Sequence, residues 1–575
     1  RPSTHNVTEV MTRPAITLIS LLTAAWVTFN PLHAGESGNI CHKPESIAGE
    51  NAYFGDLHVH TSFSLDSYVF GNRNDPAIAY AFAAGEPVLD MNGRYVQLNR
   101  PLDFIAVSDH AEGFGETFLC QQTEAPEYRS DFCKQVRNGD MRVFQALADS
   151  TQVNSSNPFT LCKDNLQRCI TAGSDAWEIS LEKADKAYKP GVLTTFFSFE
   201  YSPAVGREGH LHRNVIFDSK PNLLRPIDSY NAPTVVQLWD QLEKSCADQC
   251  QAMTIPHNTN YSWGLAFNLQ KRDGTQFTIN ERQQRERLEH VVEIFQSKGS
   301  SECNPQLGSV DEECFFEALF LPCTEGQTEH CAMPGSFARD GLHSGLSLSH
   351  DHGFNPMQIG FVGGTDTHNA FAGNTNSADF RGNLGTIDSS PEKRFSNPNL
   401  RRFNPGGLTG AWASENNRSA IFGSIRQRRT FATSGPRISV DLVAYLQSNL
   451  QQSISLMGGE LEKTKPNTRL ALEIYVQEDP LSEKLQTVQI VRGRYVNGKS
   501  EDRVFSLPMT SVTDCSRGLK AVRWTDDEFD PDIPAFYYVR AIEAPSIRWH
   551  IHDDMQYQPE TVRHRAWSSP VWYQP

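Results

Sequence analysis

From Tyr53 to about residue 435 the chain alternates short runs of Val, Ile, Leu and Phe with longer mixed stretches. Runs at 102–107, 193–199, 215–217, 252–255, 291–295 and 359–362 are mostly apolar without strict alternation, as in strands covered on both faces. They predict an α/β fold in which parallel strands form a sheet or barrel wrapped by helices. Insertions at 111–190 and 300–355 interrupt it. A helix is expected over 415–428, with Ile421, Phe422 and Ile425 on one face and Arg426, Arg428 and Arg429 around its end. From Ile438 the period changes: 470–476 and 536–541 are strand-like segments set between Gly, Pro and Asp, which predicts a smaller, sandwich-like β-rich domain. The expected division is therefore 1–34, 35–435 and 436–575.

The first of these segments is not expected to belong to the fold. Met11-Thr-Arg-Pro leads into a mostly apolar stretch ending near Phe29, and Leu32-His33-Ala34 precedes Gly35, the layout of a secretory signal peptide running from Met11 to Ala34. Twelve cysteines agree with export, because pairs persist in an oxidising compartment such as a periplasm or the extracellular space. Close spacing suggests Cys120 with Cys133, Cys162 with Cys169, Cys246 with Cys250, and Cys323 with Cys331. Elimination leaves Cys303 with Cys314 and Cys41 with Cys515. There is no CxxC pair to suggest thiolate zinc. The net charge of -16 argues against a nucleic-acid backbone as partner. Beyond residue 40 no apolar run is long enough for a membrane span, and nothing indicates an oligomeric state.

Candidate chemistry sits at the ends of the apolar runs, where the loops of α/β barrels converge. His58 and His60 are two residues apart, so a strand points both to one side. Asp109 and His110 follow the 102–107 run, Glu200 follows Phe199, His257 follows Pro256, and Asp366 and His368 repeat the two-residue spacing. Several imidazoles and carboxylates converging would be costly to bury unless they share an ion. A mixed nitrogen and oxygen set suits Zn, Mn or Fe(II).

These residues resemble the PHP superfamily, named for polymerase and histidinol phosphatase. The resemblance rests on Gly-Asp-Leu-His58-Val-His60-Thr-Ser-Phe-Ser, Ser-Asp109-His110, Glu200, His257 and Gly-Thr-Asp366-Thr-His368, and covers most of 52–370. Gly-His210-Leu-His212-Arg213-Asn214, Asn404-Pro-Gly-Gly-Leu-Thr and Arg-Arg-Thr-Phe-Ala-Thr-Ser-Gly-Pro-Arg437 are similar to an exported branch long catalogued as a domain of unknown function. The resemblance implies a distorted (β/α)7 barrel, two or three divalent ions and hydrolysis of phosphate esters. It would place His58, His60, Glu200 and Asp366 on one ion, with Glu200 bridging to a second held by His257. Asp66, His110 and His368 would form a third group. Asp66 stands where relatives often carry His, and Glu293 is the nearest candidate for another usual His.

Paired cations would lower the pKa of bound water until hydroxide attacks the ester near neutral pH, without a side-chain nucleophile. Asp109 would orient an imidazole or cap its loop, and His110 or His368 would move a proton if it is not a ligand. His210 and His212 stand at the start of a strand, which argues for substrate contacts rather than metal binding. Arg213 would hold an anionic group or pair with an acid. Asn258, Tyr261 and Trp263 would line the pocket or pack. The expected substrate is a small anionic phosphate mono- or diester. Rival readings are a sulfate-ester, carboxylic-ester or amide hydrolase using the same site, and a non-catalytic metal- or carbohydrate-binding protein.

Overall fold

The computed structural model describes residues 40–41, 43, 47, 49–152, 161–206, 208–247, 249–271, 273–447, 452–464, 468–549 and 560–575. The expected signal segment lies outside the described residues. The apolar runs form β1 (Asn51–Val59), β2 (Phe104–Val107), β3 (Thr194–Tyr201), β4 (Arg213–Phe217), β5 (Ala252–Pro256), β6 (Val291–Gln296) and β7 (Gly360–Gly363). Two more strands, β8 (Leu408–Ala413) and β9 (Thr430–Thr433), flank the helix Arg418–Arg426. That helix starts three residues later than expected because the Asn417 side chain caps it, accepting from the Ala420 N–H at 2.8 Å.

The strands form a large mixed sheet rather than an all-parallel one. β1, β2 and β3 pair in parallel, but β4 runs antiparallel between β3 and β5. A parallel crossover needs about a dozen residues or more. The segment 202–212 instead turns back through the small hairpin of Ala204–Val205 with Gly209–His210. β5 then resumes the direction of β3. The ends of β1, β2, β3 and β5 and the start of β4 consequently share one rim. β6 and β7 pair in parallel, and a parallel bridge from Val59 to Thr367 ties the continuation of β7 to β1. Among the described residues no ladder joins β5 to β6. The free edge of β6 is taken at its C-terminal end by Gly299–Ser300.

On its other side β1 pairs with β8, β8 with β9, and β9 with Arg565–Ser568, all antiparallel. The β-rich C-terminal part thus extends the same sheet. It adds a five-stranded antiparallel sheet centred on Ser439–Gln447, Arg469–Gln477 and Leu519–Asp526. Leu442, Leu472 and Ile474 share one apolar core with Val488, Ile490 and Val539 of the larger sheet. The outer face of the smaller sheet is apolar too, and Ile47 packs there with Val443, Tyr445 and Tyr475.

All twelve cysteines pair as expected from spacing and elimination, the state that oxidising compartments maintain. Cys41–Cys515 ties the N-terminal segment to the C-terminal part. The 300–355 insertion carries two disulfides. It is also anchored by buried Arg339 and Arg540, which pair with Glu302 and Asp311. Among the described residues no helix is long and apolar enough to cross a membrane.

Candidate metal centre

The rim of the sheet collects the histidines. His58, on β1, and His60, one residue past its end, keep the two-residue alternation and turn to the same side. Their backbone is locked to the 364–368 segment: His60 N–H donates to the Thr367 carbonyl at 2.8 Å and Asp366 N–H to the His58 carbonyl at 3.0 Å. Asp366 has a φ of 53°, in the left-handed region that Asp tolerates better than most residues. His110 is placed by its own N–H, which donates to Ser64 Oγ at 2.9 Å.

Glu200 is the hub. Its Oε2 lies 3.2 Å from Nε2 of both His58 and His60. Its Oε1 lies 2.8 Å from His212 Nδ1 and 3.0 Å from His257 Nε2. Asp366 Oδ1 is 3.3 Å from both His58 Nε2 and His60 Nε2, and its other oxygen pairs with Lys298 Nζ. Beside this hub, Asp66 Oδ2 lies 2.8 Å from His368 Nε2 and 3.2 Å from His110 Nε2. The His60 ring stacks between those of His368 and His110, at 4.3 and 4.6 Å.

Three groups have donor atoms close enough to share an ion: His58, His60 and Glu200; Glu200, His212 and His257; and His60, Asp66, His110 and His368. The chemistry of these donors fits divalent cations. Nε2 of His60 is buried facing Glu200 and Asp366 yet makes no hydrogen bond of its own, and an ion held between these groups is the partner that would satisfy it. A fourth group, Cys303, Asp311 and Cys314, is not a thiolate site because its cysteines are joined in a disulfide.

The electrostatics are those of tightly packed opposite charges. Burial opposes ionisation of Glu200, but His110 and His257 outweigh it and hold the carboxyl well below its usual range. Burial likewise opposes ionisation of Asp66, which His368 and His110 hold low. Burial works against a charged His58, yet Asp366 and Glu293 hold its pKa well above the usual value. For His212 burial wins, and the imidazole falls to about 4.

Several expected roles change. His212, read as a substrate contact because it precedes a strand, reaches Glu200 because the reversed β4 begins at the rim. Glu293 joins none of the shared-ion groups: its two oxygens lie 3.1 and 3.2 Å from His58 Nδ1, on the far side of that ring from Glu200. Arg213 is turned away from the pocket and buried, its Nε donating to Glu289 at 2.6 Å. Asp109 accepts from the Thr61 N–H and hydroxyl and from Ser64 Oγ. It therefore supports the loop after β1, and Ser64 Oγ lies 2.9 Å from His60 Nδ1. His210 stacks on His212 at 4.3 Å, and Asn258 Nδ2 donates to Asp366 at 3.5 Å. Lys298 and Ser202 were not expected. Ser202 Oγ donates to Glu200 at 3.0 Å and lies 2.5 Å from His110 Nδ1. The position of Lys298 just past β6 is its one signal in the sequence.

The centre opens into a cavity of about 540 Å³ lined by Asp66, His110, Glu200, His212, Asp366 and His368 on its inner side.

A family model described as "Protein of unknown function (DUF3604)" matches residues 48–518 and 513–575. No curated protein matches the chain. Among solved structures, the chain is similar to a two-domain protein from Bacteroides vulgatus containing a predicted PHP-like metal-dependent phosphoesterase. Identity is 11%, coverage is 91% of this chain and 97% of that one, and the TM-score is 0.31.

Proposed function

The chain belongs to the DUF3604 family, and on that footing we propose that it is an exported, metal-dependent phosphoesterase acting on small organic phosphate mono- or diesters. The arrangement of Glu200 carries the reading: one oxygen faces His58 and His60, the other faces His212 and His257, as a carboxylate bridging two ions would. In this proposal His58, His60 and Asp366 complete one position and His212 and His257 a second. Asp66, His110 and His368 form a third. The catalytic part spans 35–435 as a distorted PHP-type barrel, with 436–575 packed against it.

Bound divalent ions would supply an activated water and positive charge opposite the ester. The chain's own residues do the rest. Glu293 fixes the His58 ring by pairing with its Nδ1. Lys298 orients Asp366 and presents a positive charge at the cavity wall. His210 and Asn258 border the space the ester would occupy, and without an ion at the third position His110 or His368 would pass a proton at its edge.

Elemental analysis of the purified protein is expected to find divalent metal. Loaded with Mn or Zn, it should cleave chromogenic phosphate esters faster than sulfate or carboxylate esters, and Glu200→Gln should lose both metal and turnover. Preference for carboxylate or sulfate esters would overturn the phosphoester assignment. Metal binding without cleavage of any ester would leave a binding protein.

A further inference from the structure

Away from the metal groups the cavity has a chemistry of its own. Two aromatic strips run outward from the centre. On one side the Phe70 ring lies 5.6 Å from His368, and Phe144 lies 5.6 Å from Phe70. On the other, His210 stacks on His212 and Tyr261 stacks on His210 at 5.0 Å. Leu147, Leu384 and Phe403 add to the apolar lining. Phe70 and Leu147 are each only 7% exposed, so packing holds this wall in place before any ligand arrives. Phe70 immediately follows the short helix Leu65–Val69 that carries Asp66. Phe144 and Leu147 stand on the helix Met141–Ser150 of the first insertion.

Charge narrows the choice further. Among the described residues lining the cavity, Lys298 is the sole Lys or Arg, and it is paired with Asp366. The carboxylates there that lie outside the metal groups are Glu112, Asp149 and Glu208. Among the described lining residues no Lys or Arg other than the paired Lys298 would receive the further charge of a nucleotide or a sugar bisphosphate, which would instead meet these acids. Pockets of this size enclose small organic molecules on mostly apolar walls, with a few polar groups fixing orientation.

We propose that the site takes phosphate esters in which a single anionic group is joined to an uncharged apolar body, an aryl or medium-chain alkyl group lying between the two strips. The inference rests on the phosphoesterase reading of the same centre. In the reaction the P–O bond to the apolar group breaks, the oxygen of water joins phosphorus, and a proton from that water ends on the departing alcohol or phenol.

The test uses metal-loaded full chain and a series of 4-alkylphenyl phosphates from methyl to butyl, whose leaving groups differ little in acidity. The expected result is a rise in kcat/KM of about four-fold per added methylene, with glycerol phosphate and nucleoside monophosphates below the whole series. Affinity for unhydrolysable alkylphosphonates, measured by calorimetry, should rise with the same slope. Phe144→Ala, checked for unchanged metal content, should flatten both slopes. Turnover that ignores alkyl length, or that favours the nucleotides, overturns this inference and leaves a phosphoesterase. A phosphonate slope without cleavage of any ester upholds the apolar pocket and sinks the hydrolase reading. Neither binding nor turnover sinks both.

Discussion

Replacing Glu293 by Gln tests whether the His58 ring is a tuned metal ligand. Both Glu293 oxygens face His58 Nδ1, at 3.1 and 3.2 Å. The carboxylate is 2% exposed and the ring is fully buried, so water does not replace the contact when it weakens. Gln is nearly isosteric but carries no charge, leaving a neutral hydrogen bond in place of a charge-assisted one. Losses of this kind behind a metal-binding His cost about 10–100-fold in metal affinity, or about 1.4–2.7 kcal/mol. The packing offers a second route to the same end. A Cβ at Gly364 would lie 2.3 Å from Glu293 Oε2 and 3.0 Å from His58 Cβ, so Gly364→Ala must push the carboxylate aside. Competition against a chromophoric chelator gives the dissociation constants directly, and circular dichroism verifies the fold. Folded Glu293→Gln protein that holds its metal as tightly as the unaltered chain would refute the reasoning.

Two further outcomes follow from buried charge. Burial, with Asp479, Glu483 and Glu478 close by, raises the Glu543 carboxyl from 4.5 to about 7 despite the hydrogen bond donated by Ser482. A raised carboxyl contributes stability below its unfolded pKa and loses it as pH rises through the folded one. Glu543→Gln should therefore raise the Tm more at pH values above about 7 than near 4.5, and a pH-independent effect in a thermal-shift series would contradict this. Arg339, 1% exposed, donates to Asp311 at 2.7 Å and to Tyr538 at 2.6 Å. Arg339→Met strips a cation from buried Glu302 and Asp311 and should cost about 3–5 kcal/mol, read as a lower denaturation midpoint. An unchanged midpoint would show the cluster to be energetically neutral.

Much of the centre could be read locally. His58 and His60 fall on one side of a strand whatever the strand pairs with, because side chains alternate with period two. Asp366 and His368 are picked out by the same spacing, although Asp366 itself adopts a left-handed backbone. Close spacing named four disulfides, and elimination left the remaining two. The direction of β4 was not read in advance, although the short 202–212 segment carried the hint, and with it went the placement of His212. Arg213 looked suited to an anion, and only packing revealed Glu289 as its partner.

Strand character, the paired-histidine face and the cysteine framework arise from backbone geometry and short separations, which adjacent residues dictate. The reversal of β4, the placing of Glu293 behind His58 across 235 residues, and the meeting of Lys298 with Asp366 depend on how distant segments pack. Such contacts form only when burial brings the segments together, so only the folded chain decides which imidazoles face Glu200 and which side chains wall the cavity.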